Sequence, residues 1–301
     1  MLDGLDDAAT PAAVRPATPA RERAAEPRPE IRFRRRIGLR TALEDAWRSR
    51  ELVLTLAERD LRVRYRQALL GFAWALFTPV MLMLVFTFVF AKFAQIKTPG
   101  VPYPLFAYVG LLPWTLFSAS VSAGGMSLVA NLSILNRVYC PREVFPIATI
   151  VVAAVDTAIS LFVLAILFVV TGFTPKLETL YAPLFLPALL AFTLGITLAI
   201  SALLVYLRDL RHALPLLIQF GLFATPVAYG ISVFVKSTKQ LLVYSAVNPL
   251  APVIDGLRRT VLLGQNPEWD ALAVGTASAF VVLSLGYWLF KRLETGIADI
   301  A

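Results

Sequence analysis

Six apolar stretches, each long enough to cross a lipid bilayer, constrain this chain more than any other feature: residues 68–91, 105–130, 144–170, 181–207, 213–235 and 271–290. A hydrocarbon core of about 30 Å calls for roughly 20 helical residues. Inside it every backbone N–H and C=O must be satisfied within the segment, and none of the stretches alternates like a barrel strand, so helices are expected. Charged residues make up only 16% of the chain, against about 25% in soluble domains. The expected fold class is an all-α integral membrane protein with about six transmembrane helices.

The flanking charges set the orientation. The 15 Lys and Arg that precede Ala68 fall on one side, with Arg137, Arg142, Arg208, Arg211, Lys291 and Arg292, a total of 21. The other side holds seven: Lys92, Lys97, Lys176, Lys236, Lys239, Arg258 and Arg259. Positive residues stay in the cytosol, so both termini are expected there, in a multi-pass protein of the inner membrane. The net charge of +8 is thus a membrane-proximal patch, and no nucleic-acid partner is implied.

Composition also divides the chain. Residues 1–40 are rich in Ala, Pro, Arg and Glu and read as a disordered cytosolic tail without an apolar signal-peptide core. Residues 41–66 carry Leu43, Trp47, Leu54, Ala57 and Leu61 at helical spacing beside Arg48, Arg62 and three glutamates. That pattern suits an amphipathic helix lying in the cytosolic interface, or one packed on a partner. Residues 68–292 form the six-span domain and 293–301 a cytosolic C-terminal tail. Between the fifth and sixth spans, 241–247 and 252–264 are too apolar for a plain loop and too short to cross. They are expected to be re-entrant or interfacial helices on the outer side, a gate or a packed cap.

Catalytic chemistry is not visible. No glycine is followed by lysine, so the phosphate-cradling loop of an ATPase cannot occur, and any ATP must be hydrolysed by another chain. One cysteine, Cys140, and one histidine, His212, leave no metal set, and no G-x-S-x-G nucleophile motif is present. The chain is therefore expected to be no enzyme and to bind no cofactor or metal of its own. The one acid within a span is Asp156, near mid-bilayer if counted from Val144. Such a group faces protein or water, as a pore-facing or proton-linked acid or as a hydrogen-bond partner of a neighbouring helix. Aromatics gather in the first two spans at Phe72, Trp74, Phe77, Trp114 and Phe117, as interfacial belts or as stacking surfaces lining a glycan path. The loop 131–143 reads as a connector or as a short helix docking on a cytosolic partner.

Several of these segments resemble, in order, the polysaccharide-export branch of ABC transporter permeases (O-antigen, capsule and teichoic acid exporters). Arg59–Arg66 with Leu70–Trp74 resembles that family's entry into its first span, and Val138–Glu143 its coupling loop, with Cys140 where Phe is commoner. Arg208-Asp209, Thr225-Pro226-Val227, Asn248-Pro249-Leu250 leading to Arg258, and Phe290–Glu294 with Ala298-Asp299 match further on. The resemblance covers residue 41 to the end. It implies a homodimer working with two copies of a cytosolic ATP-binding subunit, which would hold ATP and Mg. It implies coupling through Arg137, Tyr139, Pro141, Arg142 and Glu143, and an outer gate containing Asn248, Pro249, Asp255 and Arg258. The cargo would be a polysaccharide linked to undecaprenyl diphosphate, drawn to an entrance at Arg62, Arg64 and Arg66. A drug or lipid exporter of the same superfamily and an ion-coupled secondary transporter are the alternatives; a membrane glycosyltransferase lacks the acidic metal-binding pair.

Overall fold

The computed structural model describes residues 49–66, 73–93, 98, 100–135 and 140–300, with side chains over 76–294 of the membrane region. The described residues are helices, turns and short connections, without a strand. Helix α1 is Arg50–Arg66, α2 Ala73–Phe86 with a π-helical extension Thr87–Phe93, and α3 Tyr103–Ala130. After a single turn at Leu132–Leu135 come α4 (Val144–Thr171), a 3-10 segment Leu177–Phe185 running into α5 (Leu186–Tyr206), and α6 (Leu210–Ala224). Two short helices, α7 (Thr238–Val247) and α8 (Leu250–Arg258, with a π-helical tail Arg259–Leu263), precede the long α9, Trp269–Ile300.

Five helical segments are long and apolar enough to cross: Leu76–Phe93, Tyr103–Ala130, Val144–Thr171, Leu177–Tyr206 and Trp269–Glu294. The fifth apolar stretch of the sequence departs from the expected full span. Helix α6 has 15 residues, about 22 Å, and ends where Thr225 adopts φ −103° and ψ 141°. The cause is local: Pro226 drives its predecessor out of the helical region. The chain then runs as a non-helical turn to Gly230, with Thr225 to Tyr229 buried.

Helix α3 is the hub, packing against α2, α4, α5, α6 and α8. Its apolar window is 67% buried, and that of the α5 segment 61%, whereas the first span is only 17% buried. Apolar residues all round a helix need an apolar surrounding on every side, so the exposed Leu161, Phe162, Val169 and Val170 of α4 present a lipid-type surface. Helix α4 stops at Gly172, whose φ of 64° is a left-handed conformation that costs glycine little.

Helix α5 also packs along α9, and glycines permit the approach. A Cβ on Gly286 would lie 2.1 Å from the Gly195 carbonyl oxygen, and one on Gly195 would lie 2.7 Å from the Leu283 Cα. Small residues at a crossing bring backbones together where dispersion is the main attraction. Helix α1 lies lengthwise along the first half of α4, where Val53 and Ala57 pack on Val144, Ala148 and Val152.

Candidate functional site

Three polar constellations interrupt this apolar body. The first lies where α6 breaks. Four consecutive carbonyls, from Pro226 to Tyr229, lose their helical donors there and would be orphaned in the interior. Arg258, 2% exposed, supplies most of the replacements. Its Nη1 donates to the Pro226 carbonyl at 2.6 Å and to that of Tyr229 at 2.9 Å, while Nη2 donates to Val227. Its Nε donates to the Phe106 carbonyl of α3 at 3.1 Å, and its guanidinium carbon lies 3.8 Å from the centre of the Phe106 ring. The Ala228 carbonyl accepts from the Tyr103 hydroxyl at 2.6 Å.

Gly110 makes room for this fork: a Cβ there would sit 2.3 Å from Nη2 of Arg258. The same corner is tied again at α7–α8. The Asn248 amide donates to Thr225 Oγ1 at 2.9 Å and its Oδ1 accepts from the Leu250 N–H, while the Tyr244 hydroxyl reaches the Ala224 carbonyl at 2.6 Å. Pro249 caps α8. Asp255, one turn before Arg258, has its carboxyl held above the usual range by burial, with Arg259 and Arg258 opposing. Of the four residues expected at an outer gate, Asn248 and Arg258 bond to this corner, with Pro249 and Asp255 between them on the chain, and Tyr103, Gly110 and Tyr244, which lacked any motif, join it.

The second constellation is at the opposite end, below α4. Glu143, 7% exposed, is ion-paired with Lys291 of α9. Lys291 also meets Glu294 at 2.7 Å, Arg142 donates to the Glu294 carbonyl, and the Tyr206 hydroxyl donates to the Leu293 carbonyl at 2.6 Å. The Arg142 and Glu143 side chains are therefore bonded within the chain. At the other end of this loop, Asn131 bonds the Ser127 carbonyl at 2.8 Å and accepts from Arg59 of α1 at 3.2 Å. Burial pushes the Cys140 thiol up, with Arg142 opposing. Pro141 lies at the loop's end, while Arg137 and Tyr139 lie outside the described residues.

The third is Asp156. Its carboxylate accepts from Arg64 at 2.5 Å and from the Tyr65 hydroxyl, both on α1. Burial first, and then this bond, push the Tyr65 hydroxyl up to about 12. The trio opens on a cavity of about 280 Å³ that Thr78, Thr115, Thr157 and Ser160 also line. Counted from Thr171, Asp156 is about 15 residues and about 23 Å along α4. It therefore lies toward the α1 side of a 30 Å hydrocarbon layer, with an arginine in contact, which removes most of the cost of an isolated buried carboxylate.

The remaining expected residues scatter. Arg62 pairs with Glu58 in an exposed i,i+4 pair, and Arg66 is exposed at the end of α1. Phe77 faces outward at 46% exposure, Trp114 is buried, and Phe117 stacks on Phe192 at 5.4 Å. Trp114 and Phe117 line an apolar hollow of about 400 Å³ between α3, α5 and α6. Phe72 and the Trp74 side chain lie outside the described residues.

A broken apolar helix clamped to two short helices on one face, and a polar loop tied to the last helix on the other, define a multi-span membrane transport domain. The model of the ABC-2 type transporter family matches residues 51–262, and the chain belongs to that family. It is 30% identical to an O-antigen export system permease protein of Myxococcus xanthus over 85% of this chain and 98% of that protein. A protein of the same description from Klebsiella pneumoniae is 27% identical, over 83% and 95% respectively. A polysialic acid transport protein of Escherichia coli is 25% identical over 78% of this chain and 91% of its own.

Proposed function

We propose that the chain is the permease subunit of an ATP-driven exporter that moves a polysaccharide of the O-antigen class, linked to undecaprenyl diphosphate, across the inner membrane. The observation that carries this reading is the collinear similarity to an O-antigen export permease over 98% of that protein's length. Two copies of the chain work with two copies of a cytosolic ATP-binding subunit, which holds the ATP and Mg. Both termini face the cytosol: a tail over 1–40, an interface helix over 41–66, spans within 68–292 and a tail over 293–301.

The physical assignment builds on the three constellations. The Arg258 corner is the outer gate, because it unites α8 with the broken tip of α6 and the hub helix. The 131–143 loop is the coupling element, and Glu143 acts by fastening it to α9. Arg62, Arg64 and Arg66 give the entrance a positive inner rim that attracts anionic headgroups, and Phe77, Trp114 and Phe117 flank the glycan path. Asp156 weighs against an ion-coupled mechanism, since it is engaged by Arg64 and Tyr65. A drug-exporter reading gains no comparable support.

Deleting the gene in its host tests the cargo. Surface polysaccharide is expected to fall at least about tenfold, with lipid-linked glycan accumulating in the inner leaflet, and both should recover on complementation. Unchanged surface polysaccharide would overturn the reading.

A further inference from the structure

Arg59, Arg62 and Arg64 of α1 add to the positive rim but are poorly placed to hold the anionic end of a lipid in contact. Arg59 meets Asp60 at 2.8 Å, Arg62 meets Glu58, and Arg64 meets Asp156, so a carboxylate stands beside each of these three guanidinium groups. Any phosphate approaching them meets negative charge as well as positive. A different pair has no ion-paired carboxylate among the described residues, although Asp209 lies between its members.

Arg208 and Arg211 flank the turn between α5 and α6, on the face that the charge asymmetry assigns to the cytosol. Both are exposed, and among the described residues neither guanidinium has a carboxylate at ion-pair distance. The Arg211 Nε donates to His212 Nε2 at 3.3 Å, and the Arg211 N–H to the Arg208 carbonyl at 3.4 Å. Beneath them lies a hollow of about 260 Å³ whose floor is Met126 and Val129 of α3 with Leu204 and Val205 of α5. Two guanidinium forks over an apolar floor, at the end of a membrane helix, match an amphiphile with a phosphorylated head. Arginine forks also suit phosphate geometry better than a point charge does.

We propose that Arg208 and Arg211 bind the diphosphate of the transported lipid, with the first part of its hydrocarbon tail on the Met126–Val129–Leu204–Val205 floor. Two observations select a diphosphate-linked isoprenoid over an ordinary phospholipid. Two forks match two phosphates, whereas phosphatidylglycerol brings one. The larger apolar hollow continues along the same three helices beyond the packed Val121, Leu204 and Leu214, which gives a long tail a place to lie. The inference rests on the glycan-export reading, and moves the anion-recognition step from α1 to the α5–α6 turn.

The full chain in phosphatidylcholine nanodiscs is titrated with undecaprenyl diphosphate and, separately, with phosphatidylglycerol. The wild type is compared with Arg208→Gln/Arg211→Gln and with Arg59→Gln, an α1 arginine paired with Asp60. Wild type is expected to prefer the diphosphate lipid, the double variant to lose about thirtyfold in its affinity, and Arg59→Gln to bind as wild type. Equal binding by the double variant and wild type would overturn the site. Equal wild-type affinity for both lipids, with loss of both in the variant, would overturn the diphosphate assignment while leaving an anionic-lipid pocket. Because this readout uses no glycan and no export, it separates failure of the pocket from failure of the cargo reading, which the gene deletion tests.

Discussion

Arg258→Ala should abolish export and destabilise the purified protein by about 4 kcal/mol, because it strands the three turn carbonyls of Pro226, Val227 and Tyr229 and releases the turn from the Phe106 carbonyl of α3. An orphaned buried carbonyl costs roughly 1–3 kcal/mol, and water entering the vacated space recovers part of that. Arg258→Lys separates charge from geometry. An ammonium has three donors on one nitrogen and cannot span Phe106 on one side and the 226–229 turn on the other, so about half the loss should remain. Gly110→Ala approaches the same corner from α3: its Cβ would fall 2.3 Å from Nη2 and 2.9 Å from the Val227 carbonyl oxygen. Thermal unfolding of the detergent-solubilised chain and export in the complemented deletion strain measure both effects. Wild-type stability and export for Arg258→Ala would show that the turn is held by something else.

Removing Lys291 should cost about 3–5 kcal/mol, since Glu143 is left as a charge with little water around it, whereas removing Glu143 should cost less because Lys291 keeps Glu294 at 2.7 Å. The pair fastens the loop's end to α9, which packs along α5. Slack at that point lets the loop move without moving the helices. Lys291→Met is therefore expected to lower export by about tenfold or more while the ATP-binding subunit continues to hydrolyse ATP. The charge-reversed double variant, Glu143→Lys with Lys291→Glu, should recover part of the export that each single change removes. A direct contact between Glu143 and the ATPase predicts a different result: loss of complex assembly in Glu143→Gln, with Lys291→Met unaffected.

Much of this architecture was legible because bilayer physics leaves few solutions for long apolar runs. The residue ranges expected for the gate helices, 241–247 and 252–264, fall on α7 and on α8 with its π-helical tail. Their length alone excluded a crossing. The fifth stretch is helical over only part of its length, because apolarity continues through Val227, Ala228 and Val233 after α6 has ended at Ala224. Thr225-Pro226 held the signal for the break. The donor that satisfies the broken turn was hidden: no spacing rule links Arg258 to carbonyls 29–32 positions away.

Asp156 was visible as an anomaly, but its partner Arg64 lies 92 positions earlier on a helix read as interfacial. Only the lengthwise packing of α1 on α4 joins them. Likewise Arg142 and Glu143 are polar loop residues that read as presented to a partner. Their use inside the chain depends on α9 returning to the same face.

As proposed, a separate ATP-binding subunit supplies the energy for transport through this chain. Proteoliposomes made with the permease alone, or with the permease and its ATP-binding subunit, measure this directly when loaded with undecaprenyl-diphosphate-linked glycan. Translocation is expected only when both subunits and ATP are present, and it should stop when the ATPase is inactivated. Glycan crossing in vesicles that hold the permease alone would contradict the account.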